Sequence, residues 1–188
     1  MASCSRGDGS CGTMSSSALT FSSKQADLLD QIALREVECL NEAPAHPWAN
    51  ALKKGYRDDA QLVCESDADE QLLLNIPFSQ VVKLHSIAVA GSPDDSGAFA
   101  PKTIHLYVNR PSMGFSDCES TKPTQTIELA SADETTVDLA YVKFQNVHTL
   151  SVFIADNQGD EEVTKLSKLS IFGTLVQTTN MSEFKRVG

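Results

Sequence analysis

The chain has 188 residues, of which 41% are hydrophobic and 21% are charged, and its formal charge is −10. This length is enough for one domain with a substantial core plus tails. The acidic excess disfavours binding to nucleic acid and to anionic membrane surfaces, because both depend on Lys and Arg. We therefore expect no nucleic-acid or membrane partner, and any charged partner should be basic or locally basic.

The compartment is inferred from two features. No apolar run approaches the roughly 18–20 residues of a membrane helix, and the N-terminus lacks the apolar segment of a secretory signal. We therefore expect a cytoplasmic or nuclear protein. The five cysteines fit a reducing compartment, because their number is odd and no C-x-x-C motif is present. They are interpreted as free thiols, with Cys39 and Cys64 in structural positions.

The first residues are predicted to be disordered. Residues 1–23 are rich in Ser, Gly and Thr and nearly free of large apolar side chains. Met14 resembles a second start, so an alternative is that residues 1–13 are an expression leader. A short helix is predicted to begin near Lys24 after a serine cap.

Two prolines in residues 41–48, NEAPAHPW, end any such helix. Trp48, the only tryptophan, is predicted to plug one end of the core, and a binding anchor is the alternative. Residues 56–70 are strongly acidic. They lack the ligand spacing and the central glycine of an EF-hand, so a solvated loop is predicted there rather than a calcium site.

Short apolar strands separated by turn residues dominate the remaining sequence. Residues 103–109, TIHLYVN, alternate cleanly between two faces. The predicted strands are 62–64, 71–76, 81–90, 103–109, 125–129, 136–139, 141–147, 149–155 and 167–175, and 111–123 is predicted to be a polar loop. This pattern predicts an all-β, antiparallel β-sandwich or jelly roll over residues 24–177, followed by a tail at 178–188.

The stretch 141–159, YVKFQNVHTLSVFIADNQG, is predicted to form the central hairpin of the sheet. Its last three residues, Asn157, Gln158 and Gly159, are turn formers that open onto an acidic segment at 160–162. The sequence leaves open whether this loop closes the sandwich or contacts a partner.

No catalytic constellation is recognisable. The four histidines have no short metal-ligand spacing, and no nucleophile elbow or phosphate-binding glycine loop is present. A triad built on Cys118 with a distant His and Asp would be a chance arrangement. We therefore predict a non-enzymatic protein with no catalytic residues, no cofactor and no metal.

Several long phrases resemble the PITH domain family. They are LNEAPAHPWANAL at 40–52, ESDADEQLLLNIPF at 65–78, VKLHSIAV at 82–89, APKTIHLYVNRPSMGFSD at 100–117, YVKFQNVHTLSVFIADNQGDEEVTKLSKLSIFG at 141–173 and TNMSEFKR at 179–186. The resemblance covers roughly residues 27–186. It implies a jelly roll like the galactose-binding domains and association with the 26S proteasome.

In family members with a thioredoxin domain, the resemblance implies that the PITH domain tethers a redox module to the proteasome. This sequence has no W-C-x-x-C motif and no thioredoxin domain before residue 27, so it resembles the stand-alone members. The function implied is docking to the proteasome, and we expect the chain to be a monomer. Candidate partner-binding residues are Asp69, Glu70, Gln71, Asn157, Gln158, Gly159, Phe184, Lys185 and Arg186.

Two other function classes stay open. A carbohydrate- or small-ligand-binding jelly roll rests on fold analogy alone, and it should show an exposed aromatic platform. A thiol-dependent redox protein should show a cysteine with a lowered pKa.

Overall fold

The computed structural model describes residues 26–56, 58–59, 61–92 and 97–176. The predicted leader at 1–23, the start of the predicted helix at Lys24 and the tail at 178–188 lie outside these residues. Within these described ranges, two short α-helices, α1 and α2, accompany nine strands. They are β1 (Ala26–Asp27), β2 (Glu38–Leu40), α1 (Ala49–Leu52), β3 (Cys64–Glu65), β4 (Leu72–Gly91), β5 (Pro101–Val108), α2 (Phe115–Ser120), β6 (Gln125–Glu128), β7 (Thr135–Asp138), β8 (Val147–Asn157) and β9 (Lys165–Leu175).

Strand β4 organises the fold because its two halves belong to two different layers. Its first half pairs with β2 on one edge and β8 on the other, and the first layer continues from β8 through β5 to β6. Its second half pairs with β7 and β9, and β1 and β3 lie beside β9. All of these pairings are antiparallel, which confirms the predicted antiparallel β-sandwich.

The main core contains apolar side chains from both halves of β4. Leu72, Leu74 and Ile76 from the first half and Leu84 and Ile87 from the second are completely buried in one cluster. Trp48, just before α1, packs against this cluster as predicted. Burial of such side chains stabilises a fold by about 1.5–3 kcal/mol each.

A second, smaller cluster covers the outer face of the first layer. Leu73, Tyr107 and Phe153 point away from the main core and pack with Met113 and Cys118, which come from α2 and the turn before it. Both faces of the first layer are therefore buried at its centre. This double burial explains why Leu72, Leu73 and Leu74 form an uninterrupted apolar run rather than alternating with polar residues.

The structure differs from the predicted elements in several places, and β1 and α1 were not among the predicted elements. The two strands predicted at 71–76 and 81–90 are one strand, and Pro77 lies inside it where the register with β8 shifts. Residues Tyr141–Lys143 form a 3-10 turn instead of a strand. The short N-terminal helix is reduced to a 3-10 turn at Leu29–Gln31. The predicted polar loop at 111–123 contains α2.

Among the described residues, no helix has the length and apolar character needed to cross a membrane.

Candidate functional site

The structure brings the two predicted loop sites together at one end of the sandwich. Thr164, which is completely buried, joins them. Its backbone N–H donates to Ser66 Oγ at 2.9 Å, and its Oγ1 donates to the carbonyl oxygen of Glu70 at 2.6 Å. We call residues 66–71 together with residues 156–164 the loop end.

The Asp69 carboxylate stabilises the first of these loops. Its Oδ1 accepts hydrogen bonds from Asn41 Nδ2 at 2.7 Å and from the backbone N–H of Gln71 at 3.1 Å. The same Asn41 amide also donates to the carbonyl oxygen of Gln71 at 2.7 Å. Asp69 and Gln71 therefore hold the turn before β4 against the residue that follows β2.

Asn157 closes the second loop from inside. Its side chain is completely buried. Its Nδ2 donates to the carbonyl oxygens of Glu161 at 2.7 Å and Val163 at 3.1 Å, and its Oδ1 accepts from the backbone N–H of Glu161 at 2.8 Å. Because a buried amide must be hydrogen-bonded to be tolerated, this network fixes the path of the loop.

Gln158 and Gly159 attach the same loop to the start of β5, to the segment before β5 and to the residue after β6. Gln158 Nε2 donates to the carbonyl oxygens of Leu129 at 2.7 Å and Pro101 at 3.1 Å. The backbone N–H of Gly159 donates to the carbonyl oxygen of Ala98 at 2.8 Å. A Cβ on residue 159 would lie only 2.7 Å from the Cβ of Ala98, so only glycine fits this approach.

The side chains of Asp69, Asn157 and Gln158 and the backbone of Gln71 are thus hydrogen-bonded within the protein. Their role as partner contacts stays a prediction, as does that of Phe184, Lys185 and Arg186, which lie outside the described residues. The loop end exposes Asp67, Ala68 and Asp69 from its first segment, and it exposes three consecutive acidic side chains after Gly159 in its second. Asp160, Glu161 and Glu162 are all exposed.

These acidic side chains border a small recess of about 180 Å³, which we call the acidic recess. Its lining residues are Glu70, Asp156, Asn157, Asp160, Glu161 and Glu162. None of the lining residues from the described ranges is basic. The sequence reasoning missed Asp156, because it lies inside β8, where alternation gives no functional signal. Its Oδ1 accepts from the backbone N–H of Thr103 at 2.7 Å. The recess is a negative, locally rigid surface.

A larger cleft of about 890 Å³ lies on the other side of Gly159. Its lining contains small residues such as Gly91, Ala98 and Ala132, and the ion pair between Lys168 Nζ and Glu134 Oε1 at 2.9 Å. Among the residues that the structure describes, no aromatic side chain lines this cleft. Sequence reasoning missed the contribution of residues 130–134, because that segment reads only as a turn between β6 and β7.

The three described cysteines are free, as predicted. Burial, and secondarily the charge of Asp117, raises the pKa of the Cys118 thiol. The pKa of Cys39 is also raised, chiefly by a hydrogen bond with Cys64 and by burial. Neither thiol has the lowered pKa of a reactive nucleophile. Cys4 and Cys11 lie outside the described residues.

The fold is shared with carbohydrate-binding modules of family 32. A Clostridium perfringens NanJ module solved in complex with galactose superposes with a TM-score of 0.59, covering 79% of this chain and 98% of that one. The sequences are 8% identical, so the likeness shows the fold alone. It confirms the predicted resemblance to a galactose-binding jelly roll.

Sequence comparison identifies the family. The chain is 39% identical over 181 residues to thioredoxin-like protein 1 of Schizosaccharomyces pombe, covering 94% of this chain and 61% of that protein. It is 38% identical over 148 residues to human PITH domain-containing protein 1, covering 76% of this chain and 67% of that one. The family model of the PITH domain matches residues 20–188. The chain therefore belongs to the PITH domain family.

Proposed function

We propose that the chain is a non-enzymatic protein-interaction module that associates with the 26S proteasome. The observation that carries this proposal is the family membership over residues 20–188, since the family resemblance implies proteasome docking. A PITH domain with a carbohydrate-module fold is a non-catalytic kind of domain. Cytoplasmic or nuclear location and a monomeric state belong to the same proposal.

The proposed function does not include the redox chemistry that the name of the fission-yeast relative suggests. The match spans only 61% of that protein, and this sequence contains no C-x-x-C motif. The raised pKa values of Cys39 and Cys118 also argue against a reactive thiol at those positions.

The acidic recess is the surface that we propose for docking. Asp160, Glu161 and Glu162 are exposed, while Asn157 beneath them fixes the backbone that carries them. A preorganised loop loses little conformational entropy on binding. Clustered carboxylates favour a basic partner surface and accelerate encounter with it. The net charge of −10 acts in the same direction.

Affinity purification of the tagged full-length chain from a cell lysate tests the proposal. We expect proteasome subunits to co-purify with the wild type and to be reduced severalfold with the double variant Glu161→Lys/Glu162→Lys. The matched control is Glu119→Lys/Glu128→Lys, which makes the same charge change at exposed residues of α2 and β6. Deletion of 178–188 tests the tail separately. Absence of proteasome from the wild-type sample refutes the proposed function.

A carbohydrate-binding role is the competing proposal. The observation that favours it is the fold shared with a module that was solved with galactose. Against it, no aromatic side chain from the described part of the chain lines either the acidic recess or the larger cleft, and such rings are the stacking platforms on which sugar binding usually depends. A glycan array probed with the full chain tests the carbohydrate-binding role. Reproducible binding to one sugar class would support this role, and uniform lack of binding would remove it.

A further inference from the structure

Two cysteines that are remote in sequence meet at the edge of the sandwich. Cys39 lies in β2, which pairs with the first half of β4, and Cys64 lies in β3, which pairs with β9 of the other layer. An antiparallel bridge between Glu42 and Ser66 holds the segments after these two strands together. As a result, Cys39 Sγ, Cys64 Sγ and a carboxylate oxygen of Glu42 all lie within 4.8 Å of one another.

This ligand set has the chemistry of a zinc site. Zinc takes thiolate sulfur at about 2.3 Å and carboxylate oxygen at about 2.0–2.2 Å in tetrahedral geometry, which places ligand atoms roughly 3.5–3.8 Å apart. Small side-chain rotations therefore suffice to close the cluster around one ion. The backbone N–H of Trp48 donates to Glu42 Oε2. Such an outer contact orients a ligating carboxylate and leaves its second oxygen for the metal.

The electrostatics of the cluster favour a cation. All three groups are anionic when deprotonated, and Cys64 is completely buried. Among the described residues, Glu42 has no ion pair with a basic side chain, and the nearby His46 imidazole is 3.8 Å from Glu65 instead. A divalent ion would remove the mutual repulsion of the three groups.

We propose that Cys39, Glu42 and Cys64 form a binding site for one thiophilic divalent cation of the zinc class. Water completes the fourth position. Each thiol that is protonated before binding releases its proton to solvent, so binding is coupled to proton release. The carboxylate ligand disfavours copper(I), which prefers soft ligands alone. Because Cys39 lies in a strand of one layer and Cys64 in a strand of the other, the ion would link the two layers near α1.

Titration of the reduced, metal-free full-length chain with cobalt(II), a spectroscopic substitute for zinc, tests this site. Cys4 and Cys11 are replaced by serine in every sample, so that their thiols do not contribute. We expect one cobalt per chain with a thiolate-to-metal charge-transfer band, displacement by zinc, and a zinc-dependent rise in the melting temperature. Glu42→Gln should weaken cobalt binding at least tenfold, and Cys39→Ser should abolish the charge-transfer band. Glu65→Gln, adjacent to Cys64 but outside the ligand set, should bind as the wild type does.

Three results would overturn the proposal. One is a reduced protein that folds but shows no thiolate-to-cobalt band at micromolar protein and excess metal. Another is a band that persists unchanged in the Cys39→Ser variant. The third is a Glu42→Gln variant that binds as tightly as Glu65→Gln, which would remove the carboxylate from the site. Should Cys39→Ser fail to fold, the Glu42→Gln comparison decides alone, since it leaves both thiols in place.

Discussion

Thr164 Oγ1 donates a 2.6 Å hydrogen bond to the carbonyl oxygen of Glu70, and this contact joins the two loops that carry the acidic recess. Thr164 is completely buried, and its hydroxyl is also 3.3 Å from Asn157 Nδ2. The carboxylates of the recess therefore depend for their position on a neutral residue beneath them.

Thr164→Val should destabilise the protein by about 1–3 kcal/mol, because it keeps the side-chain volume but removes the hydrogen bond to the part-buried carbonyl oxygen of Glu70 and one of the three acceptors of Asn157 Nδ2. Urea denaturation followed by circular dichroism measures the change. The control is Thr136→Val, a half-buried β7 residue, for which we expect a change within about 0.5 kcal/mol. Equal stability of the two variants would show that Thr164 does not support the loop end.

Gly159→Ala should destabilise the protein by about 1–3 kcal/mol through overpacking, because the new Cβ would meet the Cβ of Ala98 at 2.7 Å. Gly114→Ala is the matched control, since the nearest atom to its new Cβ is 3.8 Å away. Thermal unfolding of both variants measures the difference. A Gly159→Ala protein as stable as Gly114→Ala would contradict the close approach of these two segments.

The exposed 3-10 turn before β8 should tolerate polar substitution. Val142 is 85% exposed whereas Phe144 is completely buried. We expect Val142→Lys to change the unfolding free energy by less than about 0.5 kcal/mol, and Phe144→Ala to cost about 3–5 kcal/mol. Denaturant unfolding of the pair gives both values. A large cost for Val142→Lys would favour the buried strand predicted from sequence.

Stability should fall in alkaline solution. The folded state raises the pKa of Cys118 through burial and of Tyr107 through burial and the neighbouring Cys118. Groups with a raised folded pKa stabilise the protein fully below their unfolded pKa, which is about 8.5 for Cys and 10 for Tyr. This stabilisation is lost as the pH rises from these values through the higher folded ones.

Urea unfolding at a series of pH values between about 7 and 11 measures this loss. The Cys118→Ala variant is the comparison, because it removes one of the two groups, and its stability should decline less steeply above pH 8.5. Identical slopes for the variant and the wild type would exclude Cys118 as a source of the alkaline loss.

Much of the fold was predictable from the sequence because alternation and turn residues report local structure. The strands at β5, β6, β7 and β9 were placed within two residues of their observed bounds. Pro77 misled the prediction, since proline lacks an N–H and usually ends a strand. In the structure it lies where β4 shifts its register with β8, so the missing donor falls at a break in the ladder.

The alternation of residues 141–147 was misleading for a different reason. Tyr141 and Val142 match the strand pattern but are exposed in a 3-10 turn, so tertiary context overrides the local pattern. At the loop end, the turn at Asn157–Gly159 was predictable from its turn-forming residues. The contact that joins this loop to the loop of Glu70 was not. The cluster of Cys39, Glu42 and Cys64 was likewise invisible, because strands of different layers bring it together.

Direct binding of purified 26S proteasome to the immobilised full-length chain tests the proposed function most sharply. We expect saturable binding that weakens with added salt, that is reduced severalfold by Glu161→Lys/Glu162→Lys, and that is unaffected by Glu119→Lys/Glu128→Lys. Failure of the folded wild-type chain to bind the proteasome at any salt concentration would contradict the proposed function. Equal binding by both double variants would contradict only the assignment of the acidic recess as the docking surface.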